Sequence, residues 1–198
     1  MSVFSHWHIG WLVAACGLLN SCGIMLNCHR PFNIYKFPIA QHPHANRPRT
    51  DGIYVSTDSR DAYFFYANGR VMSYGFLHPI GDFWSDPDSA LATMRAHRNF
   101  NSREGWGDHS VRNDTIWVQA FNWNVQEPCT RAVFDDVGRV KSDSSIAINV
   151  IFAHSRADTL FKGSREFRFH PTALKPDSAN VWFEKKQWYK KELHPSRR

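Results

Sequence analysis

The fold is indicated first by one stretch of sequence, Ala62-Tyr-Phe-Phe-Tyr-Ala-Asn68-Gly69-Arg-Val-Met-Ser-Tyr-Gly-Phe-Leu77. Two runs rich in aromatic and β-branched residues flank an Asn-Gly pair in this stretch. Asn-Gly accepts positive φ at both central positions of a type I′ turn, whose twist suits a tight hairpin. The stretch therefore predicts a β-hairpin that is closed by a type I′ turn at Asn68 and Gly69.

The same pattern of short apolar runs and turn residues continues on both sides of this hairpin. Further strands are predicted at 50–56, 105–111, 115–123, 131–134, 139–142, 145–152 and 165–170. Arg112-Asn113-Asp114 is typical of a hairpin turn, and Gly138 indicates another turn. Asp135 and Asp136 lie next to Gly138. A tight turn explains the two carboxylates most simply, although such a pair can also bind a cation.

One segment differs from this pattern. Residues 87–98 begin after Asp86, contain good helix formers, and place Leu91 and Met94 on one apolar face, so a helix of about three turns is predicted. The last apolar segment, residues 181–193, fits either a short helix or an edge strand. About eight short strands joined in sequence favour a mainly β fold: an antiparallel up-and-down barrel, or a strongly curved sheet, with one inserted helix near 87–98.

The beginning of the chain predicts export. Residues 9–21 are apolar or small, about the length of the apolar core of a secretory signal peptide. The residues Leu19-Asn20-Ser21-Cys22 resemble the lipobox of bacterial lipoproteins. This resemblance implies cleavage before Cys22, whose thiol would carry a diacylglycerol and whose amine would carry an acyl chain such as palmitate. The competing interpretations are a lipobox at Cys16 and an uncleaved anchor that runs on through residues 24–26.

The globular part resembles the lipocalin-like domains of small bacterial lipoproteins. The matching stretches are Arg49-Thr-Asp-Gly-Ile-Tyr54, the Asn68-Gly69 hairpin, residues 106–116 and the terminal pattern Lys175-Pro-Asp-Ser, Trp182-Phe and Trp188-Tyr-Lys-Lys. The resemblance implies a signal peptide at 1–21, a tether at 22–48 and a lipocalin-like β domain at 49–198. It also implies a lipid-anchored location in the bacterial cell envelope, at the outer membrane.

Composition and charge agree with an exported, packed domain. Aromatic residues make up 15% of the chain, and the net charge of +6 falls wholly after residue 21. Such a charge suits a solvated surface or contact with anionic headgroups, whereas nucleic acid is not expected as a partner outside the cytoplasm. Cys28 and Cys129 would both remain in an oxidising compartment, so they form either a disulfide or two separate thiols.

No catalytic or metal-binding motif occurs in the sequence, so no catalytic residue, metal or cofactor is predicted. The surplus of tryptophans is the remaining candidate for a ligand site. These are Trp106, Trp117, Trp123, Trp182 and Trp188. They favour either an aromatic-lined pocket or bulky packing at the barrel ends. The predicted function is a non-enzymatic envelope barrel that binds a small apolar ligand or an envelope component. The alternatives are a structural or assembly lipoprotein with a filled barrel that docks a protein partner through residues 182–191, and a hydrolase. The oligomeric state is left open.

Overall fold

The computed structural model describes residues 48–75, 82–96, 105–123, 131–153 and 158–185. Eight antiparallel strands form one closed barrel in chain order, with the last strand paired to the first. The strands are β1 (Gly52–Ser56), β2 (Asp61–Phe65), β3 (Arg70–Gly75), β4 (Trp106–Arg112), β5 (Thr115–Trp123), β6 (Arg131–Ser142), β7 (Ser145–Ala153) and β8 (Asp158–Pro171). The predicted mainly β up-and-down barrel is thereby confirmed.

The inserted helix is also confirmed. Helix α1 (Pro87–Ala96) lies between β3 and β4 and buries Ala90, Leu91 and Met94, the apolar face expected from the sequence. Within the described residues, no helix has both the length and the apolar character that a membrane crossing requires.

The type I′ turn lies at a different hairpin from the one predicted. Between β2 and β3 only Gly69 has a positive φ, of 84°, and its N–H donates to the Tyr66 carbonyl at 3.0 Å. The Tyr66 N–H donates to the Arg70 carbonyl at 3.0 Å, so the loop inside this pair is residues 67–69 and ends in a left-handed glycine. Between β4 and β5, in contrast, Asn113 and Asp114 have φ values of 50° and 62°. This two-residue loop has the positive φ values of a type I′ turn, which Asn and Asp tolerate better than other side chains.

The predicted turn at Gly138 is wrong, because one continuous strand, β6, runs through it. The register of β6 against β7 shifts between Val137 and Gly138. A Cβ atom at Gly138 would lie 1.9 Å from the Ala147 carbonyl oxygen, so the glycine permits close approach of two strands. Asp135 and Asp136 are therefore neighbours within a strand, and their side chains point to opposite faces of the barrel wall.

Two separate cores result from the alternation of side chains along the strands. The interior core fills the barrel and consists of Tyr54, Tyr63, Phe65, Val71, Ile116, Val118, Ala120, Val140, Ile146, Ile148 and Phe167. The outer core lies on the other face of the first strands. There, α1 and the segment after β8 cover residues such as Ile53, Phe64 and Trp106, all fully buried.

The segment after β8 is held against the outside of the barrel by both apolar and charged contacts. It contains two short 3-10 turns, Ser178–Asn180 and Phe183–Lys185. The second turn falls in the segment for which a helix or an edge strand was predicted, and residues 186–193 lie outside the described part. Beneath it, the buried Arg70 guanidinium is ion-paired to Asp108 and, at 2.8 Å, to Glu184.

The two ends of the barrel differ in their connections. At the lower end, the loops are the tight hairpins at 66–69, 113–114 and 143–144. The upper end carries two long connections, at 76–105 and 124–130, and two connections of four residues, at 57–60 and 154–157. Of these, the structure describes 57–60 and the part of the longest connection that contains α1. A barrel of eight strands is just wide enough for side chains to fill it or for one small ligand.

Candidate functional site

At the lower end of the barrel, the side chain of Tyr54 contacts several separate segments of the chain. The Tyr54 hydroxyl donates to the Asp143 carbonyl at 2.5 Å and accepts from the Arg49 backbone N–H at 2.8 Å. Its ring lies 5.2 Å from that of Phe169, and the Arg49 guanidinium stacks over Phe169 at 4.2 Å. These contacts join residue 49, the β6–β7 turn and β8 at the lower end of the barrel.

The upper half of the interior is different, because it contains the carboxyl groups of Asp61 and Asp136 and the guanidinium group of Arg165. We call it the polar chamber and define it by Asp61, Tyr63, Asp136, Ile151, Phe161 and Arg165. Ile151 is opposite Asp136 in the β6–β7 ladder and packs against the interior core. Phe161 is in turn opposite Ile151 in the β7–β8 ladder, so both side chains face the interior.

Asp136 is the most unusual residue of the polar chamber. Its side chain is 5% exposed, and the Tyr63 hydroxyl donates to its Oδ2 atom at 2.6 Å. Burial raises the pKa of Asp136 to about 7, and the hydrogen bond from Tyr63 only partly offsets this effect. The pKa of Tyr63 is itself raised well above its ordinary value by burial and by the neighbouring carboxylate.

Asp61 and Arg165 form an ion pair beside Asp136. The two side chains are each 29% exposed, so solvent reaches them. Burial raises the pKa of Asp61, against the opposing effect of the Arg165 charge. The Arg165 guanidinium also stacks over the Phe161 ring at 4.9 Å, which is a cation–π contact. One wall of the polar chamber therefore already holds a cation against an aromatic face.

These groups give the polar chamber two chemical capacities. A carboxyl group with a pKa of about 7 exchanges its proton near neutral pH. When Asp136 is ionised, the chamber holds two carboxylates, Asp61 and Asp136, against one guanidinium, Arg165. The excess negative charge is buried, where opposite charges attract more strongly than in water. The polar chamber is thus suited to proton exchange and to binding a positive group.

The structure describes the side chains of three of the five tryptophans that were predicted to form a ligand site. Trp106 is fully buried and Trp182 is 8% exposed, and both belong to the outer core. Trp117 lies half-buried on the outer face of β5. Trp123 ends β5, but its side chain is not among the described ones, and Trp188 lies outside the described residues. Trp106 and Trp182 thus both lie in the outer core, and none of the three described side chains lines the polar chamber.

The other predicted sites lie outside the described residues. These are the lipidation site Cys22 and the disulfide candidates Cys28 and Cys129. They stay predictions. Among the described residues, no group of three or more His, Cys, Asp or Glu side chains is placed to hold a metal ion.

The sequence contains a signal for the polar chamber in the alternation of residues along β2 and β8. Strand alternation places Asp61 and Tyr63 on the same face as Phe65, and Arg165 on the same face as Phe167. A polar side chain in phase with buried aromatics is such a signal. The burial of Asp136 does not follow from this pattern when a turn is predicted at Gly138, because the turn ends the strand before Asp136.

Comparisons of the chain with protein-family models, with curated proteins and with solved structures found no match.

Proposed function

We propose that this protein is a lipid-anchored, non-enzymatic β-barrel of the bacterial cell envelope that binds a small, largely apolar ligand in its polar chamber. The observation that carries this proposal is the asymmetry of the barrel interior. Toward the lower end the interior is packed around the fully buried, hydrogen-bonded Tyr54, whereas toward the upper end the Asp61 and Arg165 side chains are each 29% exposed.

The lining of the polar chamber suits an amphiphile. Ile151 and Phe161 offer apolar surface that remains half-exposed, and Asp61, Asp136 and Arg165 offer polar groups. Small-molecule sites generally combine an apolar lining with a few polar groups that fix orientation. The two carboxyl groups are held by Tyr63 and Arg165, partners that position charge and do not activate a nucleophile, so a binding role is favoured over a catalytic one.

The alternative of a structural or assembly lipoprotein is favoured by one observation, the core of buried side chains inside the barrel. Its predicted docking surface, residues 182–191, receives less support. Trp182 and Phe183 are 8% and 0% exposed and pack against the barrel, so their rings are covered. Residues 186–191 lie outside the described part.

The binding proposal is tested with N-phenyl-1-naphthylamine, a neutral apolar fluorophore, and a matched pair of variants on β7. Ile151→Trp places an indole inside the polar chamber, whereas Val150→Trp places it on the outer face of the same strand. We expect saturable probe binding that Ile151→Trp weakens about tenfold or more and that Val150→Trp leaves within about twofold.

Circular dichroism and thermal unfolding establish that each variant retains the barrel. If Ile151→Trp does not fold, Phe161→Trp, on the facing strand, takes its place. Absence of saturable binding, or equal binding by both variants of β7, would overturn the proposal.

The lipid anchor is tested by the intact mass of protein purified from its native membrane, beside a Cys22→Ala variant. The proposal expects a chain that begins at Cys22 and carries acyl mass, and it expects that mass to be lost in the variant. A full-length, unmodified chain would contradict the lipoprotein assignment.

A further inference from the structure

We propose that the ligand of the polar chamber carries a cationic head group, such as a protonated amine, which binds against Asp136. This inference rests on the proposed function, because it names the class of ligand for the same site. Three features of the chamber favour such a ligand: the balance of its charges, the free acceptor position of the Asp136 carboxylate and the aromatic side chains around it.

The charge balance of the polar chamber favours a cation over an anion. Arg165 is ion-paired to Asp61, and this pair is neutral as a whole. Asp136 has no basic partner among the described residues, since its side chain is hydrogen-bonded to the neutral hydroxyl of Tyr63. A buried carboxylate without a positive partner is costly. A cationic ligand would supply that partner, whereas an anionic ligand would add a second uncompensated charge.

The hydrogen bonds of Asp136 leave one acceptor unused. Tyr63 donates to Oδ2. Within the described part of the chain, Oδ1 is not among the fully buried atoms that lack a hydrogen-bond partner, so it remains accessible from the chamber. An ionised carboxylate has about four acceptor positions, so Oδ1 can accept from a ligand. A ligand N–H that reaches Oδ1 would complete the hydrogen bonding of a side chain that is 95% buried, since its exposed fraction is 5%.

The aromatic residues of the chamber suit a positive head group as well. Tyr63 lies 4.9 Å from Phe167 and 5.8 Å from Phe65, ring centroid to ring centroid, and forms the floor of the chamber. Phe161 accepts the guanidinium of Arg165 on its face. Rings of this kind attract cations through their negative faces, and the attraction grows when the cation is desolvated.

Binding of such a ligand should be linked to pH. The charged and titratable groups that act on Asp136 are Tyr63 and Asp61 on β2, Asp135 on its own strand and Arg165 on β8. Because Asp136 must be ionised to pair with a cation, affinity for an amine should rise as the pH increases from about 5 to about 8, through the pKa of about 7. Affinity for an uncharged analogue should not change in this way.

The test compares dodecylamine, dodecanol and dodecanoate, which share one alkyl chain and differ in the charge of the head group. Each displaces N-phenyl-1-naphthylamine from the full-length protein at pH 5 and pH 8. We expect dodecylamine to bind about tenfold or more tightly than the other two at pH 8, and we expect this preference to shrink at pH 5.

Two matched variants locate the effect. Asp136→Asn removes the interior carboxylate, while Asp135→Asn removes an equal charge from the outer face of the same strand, where Asp135 accepts from Gln119. We expect Asp136→Asn to abolish the preference for the amine over dodecanol, and Asp135→Asn to preserve this preference.

The outcomes separate the two proposals. If none of the three compounds binds, the proposed function fails and this inference fails with it. If all three bind equally, or if Asp135→Asn acts like Asp136→Asn, the ligand-binding function stands and the cationic head group is refuted.

Discussion

Replacing Asp136 by Asn should change how the stability of the protein depends on pH. In the folded state the pKa of this carboxyl is raised from its ordinary 3.8 to about 7. Between these two values the folded protein binds more protons than the unfolded chain. Protons therefore stabilise the fold in this range, and the contribution of Asp136 to the free energy of unfolding falls as the pH rises from about 4 to about 7.

The size of the effect follows from the difference between the two pKa values. A difference of about 3 pKa units corresponds to about 4 kcal/mol of free energy. Asn cannot ionise, so the variant should lack this loss of stability. The free energy of unfolding of the Asn variant, minus that of the wild type, should rise by about 4 kcal/mol between pH 4 and pH 8.

The assay is urea unfolding of both proteins at several pH values, followed by tryptophan fluorescence. Only the dependence on pH is diagnostic, because the amide also changes hydrogen bonding by an amount that does not vary with pH. Asp51→Asn is the control. A hydrogen bond from Arg49 lowers the pKa of the exposed Asp51 below its ordinary value, so the difference should be flat from pH 5 to pH 8. A flat difference for Asp136→Asn as well would refute the account of the buried carboxyl.

Three further predictions concern the same barrel. Tyr63→Phe removes the hydroxyl that stabilises the ionised form of Asp136, so the pKa of Asp136 should rise above about 7. Carbon-13 NMR of labelled aspartate measures this pKa, and an unchanged or lower value would contradict the role of the hydrogen bond. Arg70→Leu removes a cation whose side chain is 5% exposed and leaves Asp108 without it, so the free energy of unfolding in urea should fall by about 3–5 kcal/mol. Glu184→Gln changes a partner that is 47% exposed, so the free energy of unfolding should fall by about 1 kcal/mol or less. Equal costs would show that the buried pair has no special role. Gly138→Ala places a Cβ atom 1.9 Å from a carbonyl oxygen of β7 and should lower the melting temperature sharply. Gly75→Ala is the control, because its Cβ atom would lie 3.5 Å from the nearest neighbouring atom and should change the melting temperature little. An unchanged melting temperature for Gly138→Ala would exclude the close approach of the two strands.

The general architecture could be predicted because strand alternation and turn residues are local signals. Most of the strands, the helix after Asp86 and the shared face of Phe167 and Phe169 follow from spacing along the chain, whereas β6 was divided at Gly138 and β8 begins earlier than predicted. The closing contact between β1 and β8 is a long-range pairing, but an up-and-down order of strands leaves these two as the free edges.

The errors arose where one residue serves either of two local structures. Gly138 fits a turn as well as a close approach between strands, and only the position of Ala147 in the neighbouring strand decides between them. This error moved Asp136 from a strand to a turn and concealed its burial. The role of the tryptophans was equally open, because Trp106 and Trp182 become buried only when the segment after β8 folds back onto the outside of the barrel.

The proposed function depends most directly on where a ligand contacts the barrel, and isoleucine methyl NMR reports this position. Ile151 lines the polar chamber, Ile116 and Ile146 lie in the interior core, and Ile53 lies in the outer core. Titration with dodecylamine at pH 8 should shift the Ile151 methyl signal most and leave that of Ile53 unchanged. Shifts centred on Ile53, or no shift at Ile151 at saturating ligand, would contradict a binding site in the polar chamber.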